Sequence, residues 1–156
     1  MHTNLDIAEN GVSETLCNVL ELKNVAPFTA DDGYTLWQGE TRFKSADDFA
    51  LFVKEKLGGF VRFVDGKKEI KKVLVCSGSG GDFLETAIQN GYDAFVTSEV
   101  KHHQFLQACD FGVSVFDAGH FGTEDIIVKP LAEELKKAFP DIDVYENHFS
   151  PIKYVK

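Results

Sequence analysis

The sequence predicts an α/β fold, a parallel-rich sheet with helices on its faces. Three observations carry that expectation. From Val73 onward, short apolar runs at Val73–Cys76, Asp93–Thr97 and Val113–Phe116 alternate with segments whose apolar residues recur at helical spacing. The first run opens into a glycine-rich turn, Ser77-Gly-Ser-Gly-Gly81, and then a helical pattern from Asp82 to Gln89, the order of a β-α junction. The length of 156 residues, with 44% hydrophobic and 26% charged content, suits a single α/β domain spanning 1–156 with a real core.

The elements can be justified in order. Val12, Leu16, Val19 and Leu20 give the first segment a helical stripe, with Asn4 or Asp6 available as its N-cap. Residues 23–40 read as a connecting region with the turn Asp31-Asp-Gly33 and a possible edge strand at Tyr34–Trp37. Ser45 caps a helix running to Leu57, with Asp48 at its third position and Gly58-Gly59 ending it. Phe60–Val64 and Ile70–Cys76 flank Asp65-Gly66 and read as a hairpin-like pair. After Asp93–Thr97, Phe105, Leu106 and Cys109 form the core face of the next helix. The Val113–Phe116 strand leads to a last helix over Thr123–Phe139, beginning near Phe121, where Pro130 predicts a kink or a restart. Asp143–Tyr145 closes the pattern as a short strand.

Charge and cysteine usage narrow the function classes. Sixteen basic against twenty-five acidic residues give a net charge of -9, unfavourable for non-specific attraction to nucleic acid or an anionic membrane. Cys17, Cys76 and Cys109 are widely spaced and odd in number, which argues against a disulfide framework or a zinc knuckle and for buried thiols in a reducing compartment. No apolar run approaches the ~20 residues of a membrane span. The opening residues also lack a basic region followed by an apolar core, so a cytoplasmic location is expected.

Several polar groups fall where α/β proteins carry sites. His120 and Glu124 stand four apart just beyond the Val113–Phe116 strand, with Gly119 and Gly122 leaving room for a ligand; an imidazole and a carboxylate are donors a divalent metal takes, and a hydrogen-bonded surface histidine is the plainer reading. His2 and Asp6 repeat that spacing at the start of the chain, where a frayed terminus is the alternative. His102 and His103 follow the Asp93–Thr97 strand and suit either metal or proton chemistry, or a hydrogen-bonding residue beside a solvent-facing one. The Ser77–Gly81 turn is open to two readings, a phosphate contact at a helix start or a tight turn that needs small residues.

In order, His2-Thr-Asn-Leu-Asp6, Gly78-Ser-Gly-Gly81, Phe95-Val-Thr-Ser-Glu-Val-Lys-His-His103 and Asp117-Ala-Gly-His-Phe-Gly-Thr-Glu124 resemble the type-two GTP cyclohydrolase I family, the NIF-three-like dinuclear-metal proteins. The resemblance covers essentially all of this sequence and the C-terminal portion of a typical member. It implies a NIF-three-like fold, a mixed sheet flanked by helices, without the N-terminal lobe segment or an inserted domain. It also implies a hexameric ring and two divalent ions, zinc, iron or manganese. Carried over by motif, Asp6 is a ligand of one ion, His120 of the other, and Glu124 bridges them, with His2 close by. Lys101, His102 and His103 lie near the site in outer-shell or proton-moving roles. The family's upstream Asp-His-His-Pro-like motif is absent, and Ser98-Glu99 replaces its usual Gly-Asp. The implied activity is metal-assisted hydrolysis, with ring-opening of the purine of GTP as the reaction the family name implies; a ring that binds metal without catalysis is the alternative. With the upstream histidines gone, a weakened or empty metal site is expected.

Overall fold

The computed structural model describes residues 3–153, so the candidate ligand His2 lies outside the described residues. Six strands form one mixed sheet: β1 (Lys23–Thr29), β2 (Thr35–Glu40), β3 (Arg62–Val64), β4 (Lys72–Ser79), β5 (Ala94–Ser98) and β6 (Ser114–Asp117), in the order β1-β2-β4-β5-β6-β3. The β4-β5 and β5-β6 pairs are parallel and the outer pairs antiparallel. Helices α1 (Thr3–Asp6), α2 (Val12–Val19), α3 (Ala46–Leu57), α4 (Leu84–Gln89), α5 (His102–Phe111), α6 (His120–Glu124) and α7 (Val128–Ala138) cover it. Among the described residues no helix is long and apolar enough to cross a membrane.

Strand alternation divides the core into two layers, because successive side chains of a strand point to opposite faces. Val73, Val75, Val96 and Phe116 pack with Leu16 of α2 and Phe49 and Val53 of α3. Leu74, Phe95 and Val115 pack on the other face with Leu84 of α4 and Ala108 of α5. Phe49 meets Phe116 edge-on at 5.0 Å between ring centres. Ser45 caps α3 as expected, its hydroxyl accepting from the Asp48 amide at 3.2 Å. Buried on both faces, β4, β5 and β6 form the centre of the sheet, and their C-terminal ends converge on the site.

Five expectations need correction. Residues 23–29, read as connection, form the edge strand β1; its Pro27, which has no N–H, is tolerated because that edge needs no second ladder. Tyr34–Trp37 lies in β2, which is an inner strand between β1 and β4. Phe60–Val64 makes no hairpin with Ile70–Cys76: β3 pairs with β6 at the far edge, and the lysine-rich stretch after Asp65 spans the sheet. On α5, Leu106 and Cys109 are exposed, whereas Phe105 does pack against the core, beside Ala108 and the buried Gln104. Asp143–Tyr145 forms no strand, since Tyr145 is 88% exposed and has no sheet edge beside it.

The last helix does restart. A 3-10 turn at Asp125–Ile127 separates α6 from α7, and Pro130 falls in the first turn of α7, where its missing N–H costs no helical bond. Near the other end of the chain, Glu21 ties the end of α2 to α3: its carboxylate accepts from Lys56 at 2.7 Å and from Arg42. Those bonds, Lys56 first, hold the carboxyl at about 2 against an ordinary 4.5. A depressed carboxyl contributes stability that is present above its ordinary value and lost as pH falls toward the folded one. Glu21→Gln is therefore expected to flatten the acid loss of stability between pH 4.5 and about 2, followed by denaturant titration at stepped pH. An unchanged slope contradicts the assignment.

Candidate metal centre

Strand β6 ends at Asp117, and the chain turns through Ala118 and Gly119 (φ +79°) into α6, which begins at His120. Asp117 shapes that turn. Its buried carboxylate accepts from the Gly119 amide at 3.1 Å, from the Val100 amide at 3.0 Å and from the Arg62 guanidinium. Thr123, fully buried, fixes the other side of α6: its hydroxyl accepts from the Gly78 amide at 3.0 Å and reaches the carbonyl of His120 at 2.9 Å. These bonds hold α6 over the ends of β4 and β5.

One helical turn then places His120 against Glu124. The imidazole Nε2 lies 3.0 Å from Glu124 Oε1, and Nδ1 lies 2.7 Å from Glu99 Oε1. Glu99 adopts φ +57° just past β5, an uncommon conformation for a non-glycine residue, and it carries the carboxylate to the ring. Bonds from His120 and then from Ser79 hold the Glu99 carboxyl below its ordinary value. A neutral imidazole has one N–H to give. Here both ring nitrogens face carboxylates, so the contact to Glu124 calls for either a second proton or a cation.

Asp6, His120 and Glu124 line one cavity of about 250 Å³ together with Tyr34, Cys76 and Ser79. The sequence-predicted residues of α1 and α6 are thus brought together. Burial, then the carboxylates of Asp6 and Glu124, push the Cys76 thiol to about 12, and burial first also raises the Tyr34 hydroxyl to about 12. Both stay neutral at ordinary pH. His102 and His103 begin α5, are exposed and do not line this cavity, because it is Gln104 that turns inward to bond the Gly81 carbonyl at 2.8 Å. Lys101 meets Asp82 at 3.3 Å on the surface.

The glycine-rich turn proves to be a packing device. A Cβ on Gly78 (φ +61°) would come within 2.3 Å of Glu124 Oε1, and one on Gly80 within 2.6 Å of Cys76 Sγ. The first glycine makes room for the carboxylate. Gly78, Glu99 and Thr123 lie within the family motifs, but sequence reasoning gave none of them a role in the site.

An imidazole and two carboxylates fit a divalent cation in kind. They are short in number: among the described residues no three His, Cys, Asp or Glu side chains are arranged to hold an ion. Two ions would need further donors.

A sequence model of the Duf34/NIF3 (NGG1p interacting factor 3) family matches residues 1–153. The chain belongs to this family. Among NIF3 relatives, a protein described as GTP cyclohydrolase 1 type 2 homolog from Nostoc sp. is 32% identical over 143 residues, covering 86% of this chain and 54% of the relative. A Pyrococcus abyssi protein of the same description is 35% identical over 143 residues, covering 88% and 57%. The chain thus spans about half the length of the curated relatives it matches. Its fold is similar to that of Staphylococcus aureus hypothetical protein SA1388, with TM-score 0.85 and 26% identity over 99% of this chain and 67% of that one. It is also similar to reduced HcgD from Methanocaldococcus jannaschii, with TM-score 0.75 and 28% identity over 88% and 55%. The expected NIF3 membership and the mixed sheet flanked by helices both hold.

Proposed function

We propose that this chain supplies part of a divalent-metal site for hydrolysis, with Asp6, His120 and Glu124 as its protein donors. The observation that carries the reading is the His120 ring held between two carboxylates, which leaves Nε2 and Glu124 facing one another at 3.0 Å. Glu99 accepts the Nδ1 proton and so directs the Nε2 lone pair into the cavity, the outer-shell arrangement of a metal-bound histidine. Bound divalent ions lower the pKa of a coordinated water and polarise a carbonyl or phosphoryl oxygen.

The rest of the work falls to the chain itself. Glu124 orients the group that enters the cavity and can accept a proton from it. In the metal-free chain Tyr34 and Cys76, raised chiefly by burial, line the cavity without adding charge. The relatives' description suggests purine ring-opening of GTP as the reaction. Assembly into a homo-oligomeric ring, hexameric by the family resemblance, would be one source of the further donors a second ion requires. A second reading is a metal-binding interaction protein without catalysis, whose ion would be closed off by protein donors instead of left open to a substrate.

The deciding measurement is elemental analysis with divalent titration, using manganese and zinc, on the chain and on Glu124→Ala. We expect weak but saturable divalent binding, weakened at least ~10-fold further in the variant, because Glu124 is a donor to the site. If the variant binds as the parent does, Glu124 is not a ligand and the reading fails. Hydrolysis of GTP by the metal-loaded protein then separates the catalytic reading from the interaction one.

A further inference from the structure

His120 also lines a second cavity, of about 500 Å³, which it shares with Phe60, Arg62, Glu99 and Ile152. Its exposed surface is largely apolar, with Phe60 50% exposed and Ile152 of the C-terminal tail 64% exposed. Its polar groups are His120, the buried Asp117, Arg62 and Glu99, of which the last two are the most exposed. The Arg62 guanidinium donates through Nη2 to the Val100 carbonyl at 3.0 Å and to Asp117, while its side chain remains 61% exposed, so it is fixed in place and still open to a ligand. Glu99 is half exposed beside it, an acceptor with lone pairs beyond the one engaged by His120.

The balance of charge excludes one class of ligand. Asp117 offsets Arg62, Glu99 adds a negative charge, and the whole chain carries -9. The cavity therefore has no surplus positive charge with which to hold phosphate. It has instead a fixed donor and a fixed acceptor between apolar walls, the surroundings of a ring that presents C=O beside N–H.

We infer that this second cavity is a substrate subsite for an uncharged planar heterocycle with an amide-type edge. The ring carbonyl accepts from Arg62, the ring N–H donates to Glu99, and the faces of the ring lie against Phe60 and Ile152. Any phosphates on the ligand stay in solvent. The inference rests on the hydrolytic reading only in treating the ligand as a substrate. Binding itself needs no metal.

The test is calorimetric titration of the metal-free chain with guanosine, 1-methylguanosine, which lacks the ring N–H, and GTP. Guanosine and GTP are expected to bind within ~3-fold of each other, since the triphosphate finds no cationic partner. 1-Methylguanosine is expected to bind ~10-fold or more weakly, because a half-desolvated Glu99 then loses its donor. Phe60→Ala should weaken guanosine ~10-fold through lost ring contact, and Ile152→Ser, in the irregular tail and outside the core, by ~3-fold. Equal binding of guanosine and 1-methylguanosine overturns the inference, as does competition by free triphosphate or guanosine affinity unchanged in both Phe60→Ala and Ile152→Ser. Guanosine binding by a chain that takes up no metal keeps the subsite and removes the hydrolytic reading; metal binding without guanosine binding does the reverse.

Discussion

Gly78→Ala is expected to leave a folded protein whose divalent affinity falls at least ~10-fold, the cost of displacing a carboxylate ligand. The new methyl would lie 2.3 Å from Glu124 Oε1 and 3.4 Å from His120 Nε2. Glu124 Oε1 is the free end of a flexible side chain, so it can swing aside, and the clash is relieved by moving the carboxylate away from the imidazole. The backbone adds its own cost, because φ +61° is left-handed and disfavours any residue with a Cβ by about 1–2 kcal/mol. The amide that Gly78 donates to Thr123 is kept, so α6 stays docked. Urea denaturation should therefore show a loss of about 1–2 kcal/mol, with the larger effect in a manganese or zinc titration. An alanine variant that binds metal as the parent does would show that Glu124 has room to spare and is not set by the β4 turn.

Asp117→Ala is expected to cost about 3 kcal/mol of folding stability, the largest effect of any single polar change near the site. Its carboxylate is 5% exposed and serves two backbone amides, those of Val100 and Gly119, besides the Arg62 guanidinium. Alanine leaves both amides without an acceptor, and a buried unsatisfied donor costs about 1–3 kcal/mol. Arg62 contributes less, since its side chain is largely in water. Asp117→Asn keeps an acceptor oxygen and should lose roughly half as much. The comparison is made by denaturant midpoints at constant m-value. A loss under about 1 kcal/mol for alanine would mean that water replaces the carboxylate, contrary to the buried geometry.

How legible all this was in the sequence depended on how far each contact reached along the chain. The central strands β4, β5 and β6 stood out because burial on both faces makes near-continuous apolar runs. Edge strand β1 did not, since Lys23-Asn-Val-Ala-Pro-Phe-Thr29 is half exposed and carries a proline. The partner of β3 was misassigned because Asp65-Gly66 looks local, while the real pairing joins Phe63 to Phe116. The site divides in the same way. His120 and Glu124 were visible because they are one helical turn apart, and their companion Asp6 was marked by the same spacing from His2 and by the family motif. Glu99 meets His120 across 21 positions and Gly78 meets Thr123 across 45, and no periodicity reports such contacts.

The short outer strand β3 has a consequence for the order in which the molecule assembles and loosens. It has three residues, pairs on one side only, and finds β6 across some fifty positions of chain, so its closure costs loop entropy that the central strands do not face. Such a strand zips on late and frays first, at a free energy well below that of global unfolding. Arg62 belongs to it. The half of the second cavity that presents a guanidinium is thus built on the least persistent part of the sheet, while Glu99 and His120 stand at the ends of its most persistent strands. A ligand that bridges the two would slow amide exchange in β3 and leave β4, already protected, unchanged.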